Sequence, residues 1–285
     1  MADELKKFDH PMTRWIRGDR LPFVFCSGCT VGSTMACLSR AFERSIENPD
    51  NLVVVSGIGC TGRGSGYFLA GSFHTTHGRT IPFATGAKMA NPDLDVVVFS
   101  GDGDIVAIGG NHFIHAARRN MGIIVICVNN FIYGMTGGQM APTTPSGDYK
   151  TQSSPYGNPE RTFNLVNLAA AAGATYVARW TALHQVRMED SFAKAIVHAR
   201  TKGMAFLEIV SACPTYFGKY NDMDDSVEML KILEDISEVA EPLTVSPQDA
   251  VSDLSRVVCG EFVEEEREEF TTVYQKIIET VQNKA

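Results

Sequence analysis

Four short, nearly continuous apolar runs constrain the fold of this chain more than any other feature. The runs are LVVVS at 52–56, DVVVF at 95–99, IIVICV at 123–128 and AFLEIV at 205–210. Strands without polar alternation are typical of parallel sheets whose two faces are both covered by helices. Helical spacing between the runs completes strand, helix, strand units, which are expected to be right-handed and parallel. We therefore predict an α/β protein with a doubly wound, mostly parallel sheet.

The chain divides into three predicted parts. These are an N-terminal arm at 1–24, a sheet-containing domain at 25–220 and an acidic helical extension at 221–285. The run at 205–210 is expected to be the last strand of the sheet. The Gly- and His-rich segment at 61–79 is predicted to be a loop. The longer Gly-, Pro- and Thr-rich segment at 134–163 is predicted to be a functional loop, because long loops in compact domains rarely lack a role.

Composition excludes some partners. The 285 residues carry 25 basic and 33 acidic side chains, a net charge of −8, without a Lys/Arg block, so we predict no nucleic-acid partner. The N-terminus has no apolar signal core, and no stretch reaches about 18 uninterrupted apolar residues, which predicts a cytoplasmic protein without membrane attachment. The seven cysteines are then expected to be reduced thiols or metal or cluster ligands rather than disulfides.

Two aspartates follow the second apolar run, in the motif SGDGD. Asp102 and Asp104 stand among glycines at the carboxyl end of the predicted strand, where ligands of open α/β sheets collect. Asp supplies oxygen to Mg²⁺, and a helix that begins at Gly109 and Gly110 would offer free N–H groups to an attached phosphate. Asp104 could instead only cap that helix. The alternative for the whole motif is a glycine-rich turn with solvated aspartates.

A second polar pair stands where the next apolar run ends. Twenty-five residues separate Gly103 from Asn129, and Asn130 follows directly. Neighbouring parallel strands would bring the Asp102 carboxylate, the Asn130 side-chain carbonyl and the Ile132 main-chain carbonyl to one edge of the sheet. With a diphosphate, these oxygens could complete an octahedron about Mg²⁺.

The paired GDG and NN motifs resemble the signature of the thiamine-diphosphate enzymes. The resemblance implies the thiamine-diphosphate-binding type of α/β domain for residues 25–220, with thiamine diphosphate and Mg²⁺ as cofactors. It implies that the magnesium ligands are Asp102, Asn130 and the Ile132 carbonyl. It further implies cofactor contacts from Gly101, Gly103, Gly134 and Met135.

Four of the cysteines occur in turns. Cys26 and Cys29 form a C-x-x-C motif, Cys60 follows the first apolar run, and Cys213 follows the last. By ligand count they suit Zn²⁺ and a [4Fe–4S] cluster equally well, and a C-x-x-C alone could also be a redox pair. A redox centre has a use beside a thiamine site, whereas zinc has none. The remaining cysteines are predicted to be small buried side chains: Cys37, Cys127 and Cys259.

The combination of thiamine and cysteine motifs resembles the β subunits of 2-oxoacid:ferredoxin oxidoreductases. The resemblance runs from Phe25 to Gly218 through CSGC, GIGC, HTTHGR, GDGD, NNFIYGMTGGQ, PYGNPE and ACPTYFG. It implies one [4Fe–4S] cluster held by Cys26, Cys29, Cys60 and Cys213. It also implies a thiamine pocket lined by Ile58, Gly59, Cys60 and Thr61.

The same resemblance implies an activity and its partners. A 2-oxoacid is oxidatively decarboxylated with coenzyme A, and the electrons leave through the cluster to ferredoxin; the reverse reaction fixes CO₂. No glutamate here matches the one that thiamine enzymes place against the aminopyrimidine ring. The family places it on an α subunit, so the chain alone is predicted to be inactive and the assembly to be an (αβ)₂ heterotetramer.

The predicted substrate is 2-oxoglutarate, because residues 133–160 and the CPTYFGKYN motif look most like the 2-oxoglutarate members. Its second carboxylate could be held by Arg63 or Arg79; an ordinary surface arginine is the alternative for each. His77 is the predicted proton-transfer residue, and His74 is a second candidate. Both histidines could instead tie down their loop or help to bind zinc.

Three other functions stay open on the sequence. They are an oxidoreductase for pyruvate or for 2-oxoacids in general, a non-redox thiamine decarboxylase subunit, and a non-catalytic subunit stabilised by zinc. Ferredoxins are usually acidic, which conflicts with the net charge of −8 unless docking uses a local basic patch or the partner chain.

Overall fold

A computed structural model of the chain describes residues 11–284, and a large sheet forms its centre. The strands are β1 (Leu52–Ser56), β2 (Gly71–His74), β3 (Asp95–Gly101), β4 (Ile123–Asn129), β5 (Ile132–Tyr133), β6 (Gln139–Met140), β7 (Tyr176–Thr181), β8 (Ala205–Val210), β9 (Ser237–Val239), β10 (Ser252–Asp253) and β11 (Arg256–Glu264). The α-helices are α1 (Val31–Ser45), α2 (Thr80–Ala90), α3 (Gly110–Arg119), α4 (Leu165–Ala172), α5 (Gln185–Thr201), α6 (Ser226–Ile236) and α7 (Phe270–Gln282).

The main sheet is mostly parallel. Its strand order is β10, β11, β7, β8, β4, β3, β1, β2, with β9 paired to β11. All neighbours from β7 to β2 are parallel, whereas β11 runs antiparallel to β7. The predicted doubly wound, mostly parallel α/β fold is thereby confirmed.

Helices cover both faces of the central strands, and nearly every residue of these strands is buried. Val54 and Val97 face one buried layer, which contains residues of α1 and α5. Val55 and Val98, one position along, face the other layer, which contains residues of α2, α3 and α4. Burial of every residue from Leu52 to Ser56 explains why the strand shows no polar alternation.

The prediction that strand formation ends with β8 is wrong. The C-terminal segment contributes the predicted helices α6 and α7, but it also contributes β9, β10 and β11, and β11 joins the main sheet beside β7. The sequence RVVCGEFVE of β11 is not recognisable as a strand, because glycine and charged residues interrupt its apolar positions. The acidic stretch that follows Glu261, predicted to be one helix, is strand as far as Glu264 and helix only from Phe270.

The predicted loop at 61–79 also contains a strand. β2 pairs with β1 at the edge of the sheet, and all four of its residues are exposed. Part of the predicted N-terminal arm joins the core, since Trp15 and Ile16 are buried; residues 1–10 lie outside the described part. The three-part division of the chain stays a prediction. No helix within residues 11–284 is long and apolar enough to cross a membrane.

The carboxyl ends of four parallel strands bring the motif residues to one edge of the sheet. Gly57 follows β1, Asp102 follows β3, Asn130 follows β4, and Cys213 lies three residues beyond β8. Parallel alignment of these strands places residues together that are as far as 156 positions apart in the chain.

Candidate active site

A pocket at this edge collects the residues that the sequence assigns to thiamine diphosphate. Its lining includes all ten of them: Ile58, Gly59, Cys60, Thr61, Gly101, Asp102, Gly103, Asn130, Gly134 and Met135. Ile132 and His77 line the same pocket. The spatial part of the prediction therefore agrees with the structure, and the cofactor contacts themselves stay a prediction.

Three oxygen atoms converge in this pocket. The Asn130 amide oxygen lies 2.8 Å from the Ile132 carbonyl oxygen and 3.2 Å from Asp102 Oδ1. Rotating the amide would turn both contacts into hydrogen bonds. However, neighbouring oxygens of an octahedral Mg²⁺ site stand about 3 Å apart when each metal–oxygen distance is about 2.1 Å. The observed oxygen set therefore fits a hard divalent cation.

An unusual backbone conformation at Phe131 precedes Ile132, whose carbonyl is the third oxygen of the set. Phe131 is buried and has φ of 64°, in the left-handed region that non-glycine residues rarely adopt. The Asn129 side chain supports the turn by accepting a hydrogen bond from the Phe131 amide at 3.0 Å. Its amide group donates to Glu208 at 2.8 Å. Asn129 is thus a structural residue, and its neighbours Asn130 and Ile132 face the pocket.

The Asp102 carboxyl is buried at the centre of the oxygen set. Burial raises its pKa to about 7, although hydrogen bonds from Thr143 and from backbone amides, Gly103 among them, oppose the shift. The Thr143 hydroxyl donates to Asp102 Oδ2. A cation would favour the ionised form and offset the cost of its burial.

Asp104 holds His77 in place at the pocket wall. The Asp104 carboxylate is buried and accepts hydrogen bonds from His77 Nδ1 at 2.7 Å, from the Gly78 amide at 2.7 Å and from the Ile58 amide at 3.3 Å. The Thr80 hydroxyl also donates to it. A proton on Nδ1 of His77 leaves Nε2 as the imidazole nitrogen free for a ligand.

Two glycines allow these groups to approach closely. A Cβ on Gly103 would lie 2.4 Å from the Tyr133 ring, and one on Gly57 would lie 2.2 Å from Asp104 Oδ2. Both contacts are too short for any side chain. Packing around the site therefore requires glycine at both positions.

The four turn cysteines line one cavity of about 420 Å³ beside the pocket. All are free thiols; Cys26 is exposed, and the other three are half-buried. Cys60 lines both the cavity and the pocket. The remaining cysteines, Cys37, Cys127 and Cys259, are fully buried, as predicted.

The four thiols of the cavity are compared with the needs of a single ion and of a cluster. Within residues 11–284, no three His, Cys, Asp or Glu side chains are close enough together to hold one metal ion. Zn²⁺ needs its thiolates at about 2.3 Å from one point, whereas a [4Fe–4S] cluster holds them around a larger core. Burial raises the pKa of Cys29 to about 12 and that of Cys60 to about 11, so a cationic centre would be needed to keep them ionised.

Two candidate residues do not line this pocket. Arg63 and Arg79 are absent from its lining, and their contact with a substrate carboxylate stays a prediction. Arg63 lines the cysteine cavity instead, and Arg79 contacts His112. His74 bonds the Gly62 carbonyl, which is the loop-tying alternative.

The predicted phosphate donors also change. Helix α3 begins at Gly110 as predicted, but a six-residue helical turn, Gly103–Ile108, separates it from β3. The Gly109 amide is already bonded to the Asp104 carbonyl. Gly101 and Gly103, rather than Gly109 and Gly110, therefore reach the pocket.

Sequence reasoning missed several residues of the site. Thr143 bonds Asp102, while Tyr133 and Thr136 line the pocket. For Asp104 the sequence suggests a Mg²⁺ contact or a helix cap. Its hydrogen-bond donors come from two distant segments, Ile58 and residues 77–80, so only the fold reveals its role.

Known proteins that are similar to this chain agree with the thiamine and cysteine sites described above. Residues 34–209 match the family model of the thiamine pyrophosphate enzyme C-terminal TPP binding domain. The 2-oxoglutarate synthase subunit KorB of Methanocaldococcus jannaschii is 48% identical over 274 residues, 96% of this chain and 99% of the relative. A 2-oxoacid:ferredoxin oxidoreductase β subunit of Saccharolobus solfataricus is 36% identical over 236 residues, 82% of this chain and 75% of the relative.

This chain belongs to the β-subunit family of 2-oxoacid:ferredoxin oxidoreductases. The family predicted from the motifs is thereby confirmed, and the chain is a subunit of an enzyme. Its fold also matches a solved family member, the 2-oxoglutarate:ferredoxin oxidoreductase from Magnetococcus marinus with 2-oxoglutarate, coenzyme A and succinyl-CoA bound. The TM-score is 0.84 at 28% identity, covering 96% of this chain and 91% of the other.

Proposed function

We propose that the chain is the β subunit of an enzyme that converts 2-oxoglutarate and coenzyme A to succinyl-CoA and CO₂, with ferredoxin as electron acceptor. The observation that carries the proposal is the adjacency of the two sites, because Cys60 lines both the oxygen-rich pocket and the four-thiol cavity. The 2-oxoglutarate synthase naming of relatives at 46–52% identity supports the substrate.

The residues of the pocket would hold the organic cofactor. Asp102, Asn130 and the Ile132 carbonyl would bind Mg²⁺, and the Ile58–Thr61 turn would form the opposite wall. When bound, thiamine diphosphate supplies the carbanion stabilisation that loss of CO₂ from a 2-oxoacid requires. The protein orients the substrate against it and excludes water.

His77 would exchange the proton of the reaction. Its Nδ1 is fixed 2.7 Å from Asp104, and its side chain retains 34% exposure at the pocket. Nε2 is therefore the atom that would give or take a proton, while Asp104 keeps the ring in one tautomer and orientation.

The reaction needs an outlet for electrons. Forming succinyl-CoA and CO₂ from 2-oxoglutarate and coenzyme A releases one proton and two electrons. Cys26, Cys29, Cys60 and Cys213 would bind a [4Fe–4S] cluster, which supplies one-electron redox chemistry when present. Without such an outlet the carbon chemistry could not be oxidative.

A partner subunit would complete the site. The enclosed volume of the pocket is about 70 Å³, well below the roughly 300–1,000 Å³ of a pocket that surrounds a sizeable ligand. No glutamate lines it among the described residues. We infer that an α subunit supplies the missing wall and glutamate in a cytoplasmic (αβ)₂ assembly.

The test is a measurement on the complex co-expressed with its partner subunit and purified without oxygen. We expect about four irons and four sulfides per β chain, bound thiamine diphosphate, and 2-oxoglutarate- and CoA-dependent reduction of methyl viologen. Zinc without iron would move the function to non-redox decarboxylation, and preference for pyruvate would overturn the substrate. Full turnover by the isolated chain would contradict the need for a partner.

A further inference from the structure

A second concave surface adjoins the cysteine cavity. It has a volume of about 380 Å³, and its lining includes Arg20, Arg63 and His74 together with Ser65, Tyr67 and Ser72. We call it the cationic pocket. Arg63 belongs to the linings of both the cationic pocket and the cysteine cavity, so the two are neighbours.

The positive charge of this pocket is not neutralised by the rest of the described chain. Arg20, Arg63 and His74 are exposed. Arg20 donates to the Gly66 carbonyl at 2.6 Å, a neutral partner. Within residues 11–284, the Arg63 side chain makes no ion pair or hydrogen bond, although the chain carries a net charge of −8. Two guanidinium groups without a carboxylate partner therefore make this surface locally positive, although the chain as a whole is acidic.

The walls of the two cavities are tied together. The Tyr67 hydroxyl accepts a hydrogen bond from the Val24 amide at 3.0 Å, and the Tyr67 ring packs on Phe23 and Phe25 at centroid distances of 5.0 and 6.0 Å. Phe25 directly precedes Cys26, and Phe23 lies two residues before Phe25. The cationic pocket thus has a fixed position relative to the most exposed of the four thiols.

Apolar surface completes the area around Cys26. Val24 and Met135 line the cysteine cavity and are 65% and 48% exposed. A small apolar patch beside a redox centre, with charges at its rim, suits a transient electron-transfer complex, since such interfaces are small and rely on electrostatic steering.

We propose that the cationic pocket and the apolar surface around Cys26 form the docking site for acidic ferredoxin. The inference rests on the proposed function and names its partner surface. In each turnover two ferredoxins, each reduced by one electron, would take up the two electrons released when 2-oxoglutarate and coenzyme A give succinyl-CoA, CO₂ and a proton. Arg20 and Arg63 attract the acidic partner, and the apolar contact holds it at the exposed end of the cavity.

Charge variants of the complete enzyme test this docking site. The measured quantity is kcat/KM for ferredoxin at low and high ionic strength, with methyl viologen as a second acceptor. We expect Arg20→Glu to lower kcat/KM for ferredoxin about fivefold or more at low salt, because charge complementarity sets the association rate, and less at high salt. Arg20→Lys should stay near the wild type. Arg187→Glu, an exposed arginine on α5, is the matched control.

Methyl viologen separates docking from catalysis. As a small dication it would not be repelled by Arg20→Glu, so its reduction should not slow. Equal loss with both acceptors, or equal loss in Arg187→Glu, would overturn the proposal. Absence of any 2-oxoacid-dependent viologen reduction in the wild-type complex would instead overturn the proposed function.

Arg63 gives a second, independent result. Arg63→Gln should raise the KM for ferredoxin and leave the KM for 2-oxoglutarate in the viologen assay unchanged. If the KM for 2-oxoglutarate rises instead, Arg63 holds the substrate carboxylate and is not part of the docking site.

Discussion

At the scale of single residues, the two aspartates of the GDGD motif perform different tasks. Asp102 joins the converging oxygen set, whereas Asp104, two positions later, accepts hydrogen bonds from four donors, among them His77. Three of these donors bond Oδ1, so the carboxylate mainly holds the surrounding loop and helix in place. The division of labour follows from the helical turn that begins at Gly103 and rotates the second aspartate away from the first.

Replacing Asp104 by Asn should lower kcat while the cofactor stays bound. An amide cannot serve all four donors, because one of its two ends is itself a donor, and His77 would lose its fixed tautomer. Loss of such a supporting group typically costs about 10- to 100-fold. The measurement is viologen reduction with 2-oxoglutarate at saturating thiamine diphosphate. Asp93→Asn, an exposed aspartate, should change nothing, and a variant that merely loses bound thiamine diphosphate would argue for a metal role.

Which residues share the site could be predicted from the sequence, but how they share tasks could not. Gly, Asp and Asn at the ends of apolar runs identify the edge at which Asp102 and Asn130 meet. Side-chain direction depends on tertiary contacts: Arg63 is only three residues from Cys60 and still points to a different pocket. Spacing along the chain carries no information about that rotation.

At the scale of elements, each of the three cysteine-bearing segments is a turn fixed to the end of a strand or the start of a helix. Cys26 and Cys29 precede α1, Cys60 follows β1, and Cys213 follows β8. Because these elements are held by the buried layers of the sheet, the thiol positions are set before any cluster is inserted. Thiols that are already in position lose little conformational entropy when they bind a metal centre.

Removing one of the four thiols should therefore abolish the cluster without unfolding the chain. We expect Cys213→Ser to lose most of its iron and sulfide, since serine does not replace a thiolate ligand well. Cys259→Ala is the control, because Cys259 is buried in β11 away from the cavity, and it should keep its iron at a stability cost on the order of 1 kcal/mol. Iron and sulfide analysis with circular dichroism distinguishes the two, and full iron in Cys213→Ser would remove Cys213 from the ligand set.

The contact between α5 and β7 should make stability depend on pH. Burial, with a smaller contribution from Lys202, lowers the pKa of His198 from 6.5 to about 4, and Nε2 lies 3.0 Å from the Thr175 hydroxyl. Between these two pH values the unfolded chain binds a proton that the folded chain does not, so the free energy of unfolding falls as the pH falls from about 6.5 to about 4.

Urea unfolding of His198→Gln measures this contribution. Above pH 6.5 the wild type keeps the full benefit of neutral His198, and its advantage over the variant should shrink as the pH approaches 4. His115→Gln, an exposed position on α3, should show no such trend. A pH-independent difference between wild type and His198→Gln would contradict the assignment.

At the scale of the whole molecule, the buried side chain of Arg179 joins the C-terminal segment to the central sheet. Arg179 of β7 and Glu208 of β8 are both buried and lie 2.7 Å apart. Arg179 also donates to the carbonyls of Ala250 at 2.9 Å, Val251 at 3.1 Å and Val258 at 3.3 Å. The Arg179 side chain therefore links β11 and the segment that precedes it to the parallel part of the sheet.

Arg179→Met should destabilise the molecule by about 3–5 kcal/mol, because it leaves Glu208 buried without its partner. The double variant Arg179→Met with Glu208→Gln should recover part of this loss, since no uncompensated charge remains. Chemical denaturation of both variants measures their free energies of unfolding and shows which is more stable. A double variant less stable than Arg179→Met alone would show that the loss comes from the carbonyl bonds rather than from the stranded charge.

The parallel part of the sheet was predictable because both of its faces are buried and its strands read as continuous apolar runs. The strands β2 and β11, at the two sides of this parallel part, could not be predicted. β2 is fully exposed and β11 is interrupted by Gly260 and Glu261, so neither carries the apolar signal. Their membership in the sheet depends on pairing partners far away in the chain, and local composition does not encode that.

The position of Cys60 in the wall of both cavities has a further consequence. On the proposed assignment, one sulfur atom is a ligand on one side and a cofactor contact on the other. Oxidation of that thiolate to a sulfinate would add two oxygens to the sulfur that both sites share. Damage by oxygen would then disable the carbon chemistry and the electron outlet together, so that no half-working enzyme would be left to decarboxylate its substrate without passing on the electrons.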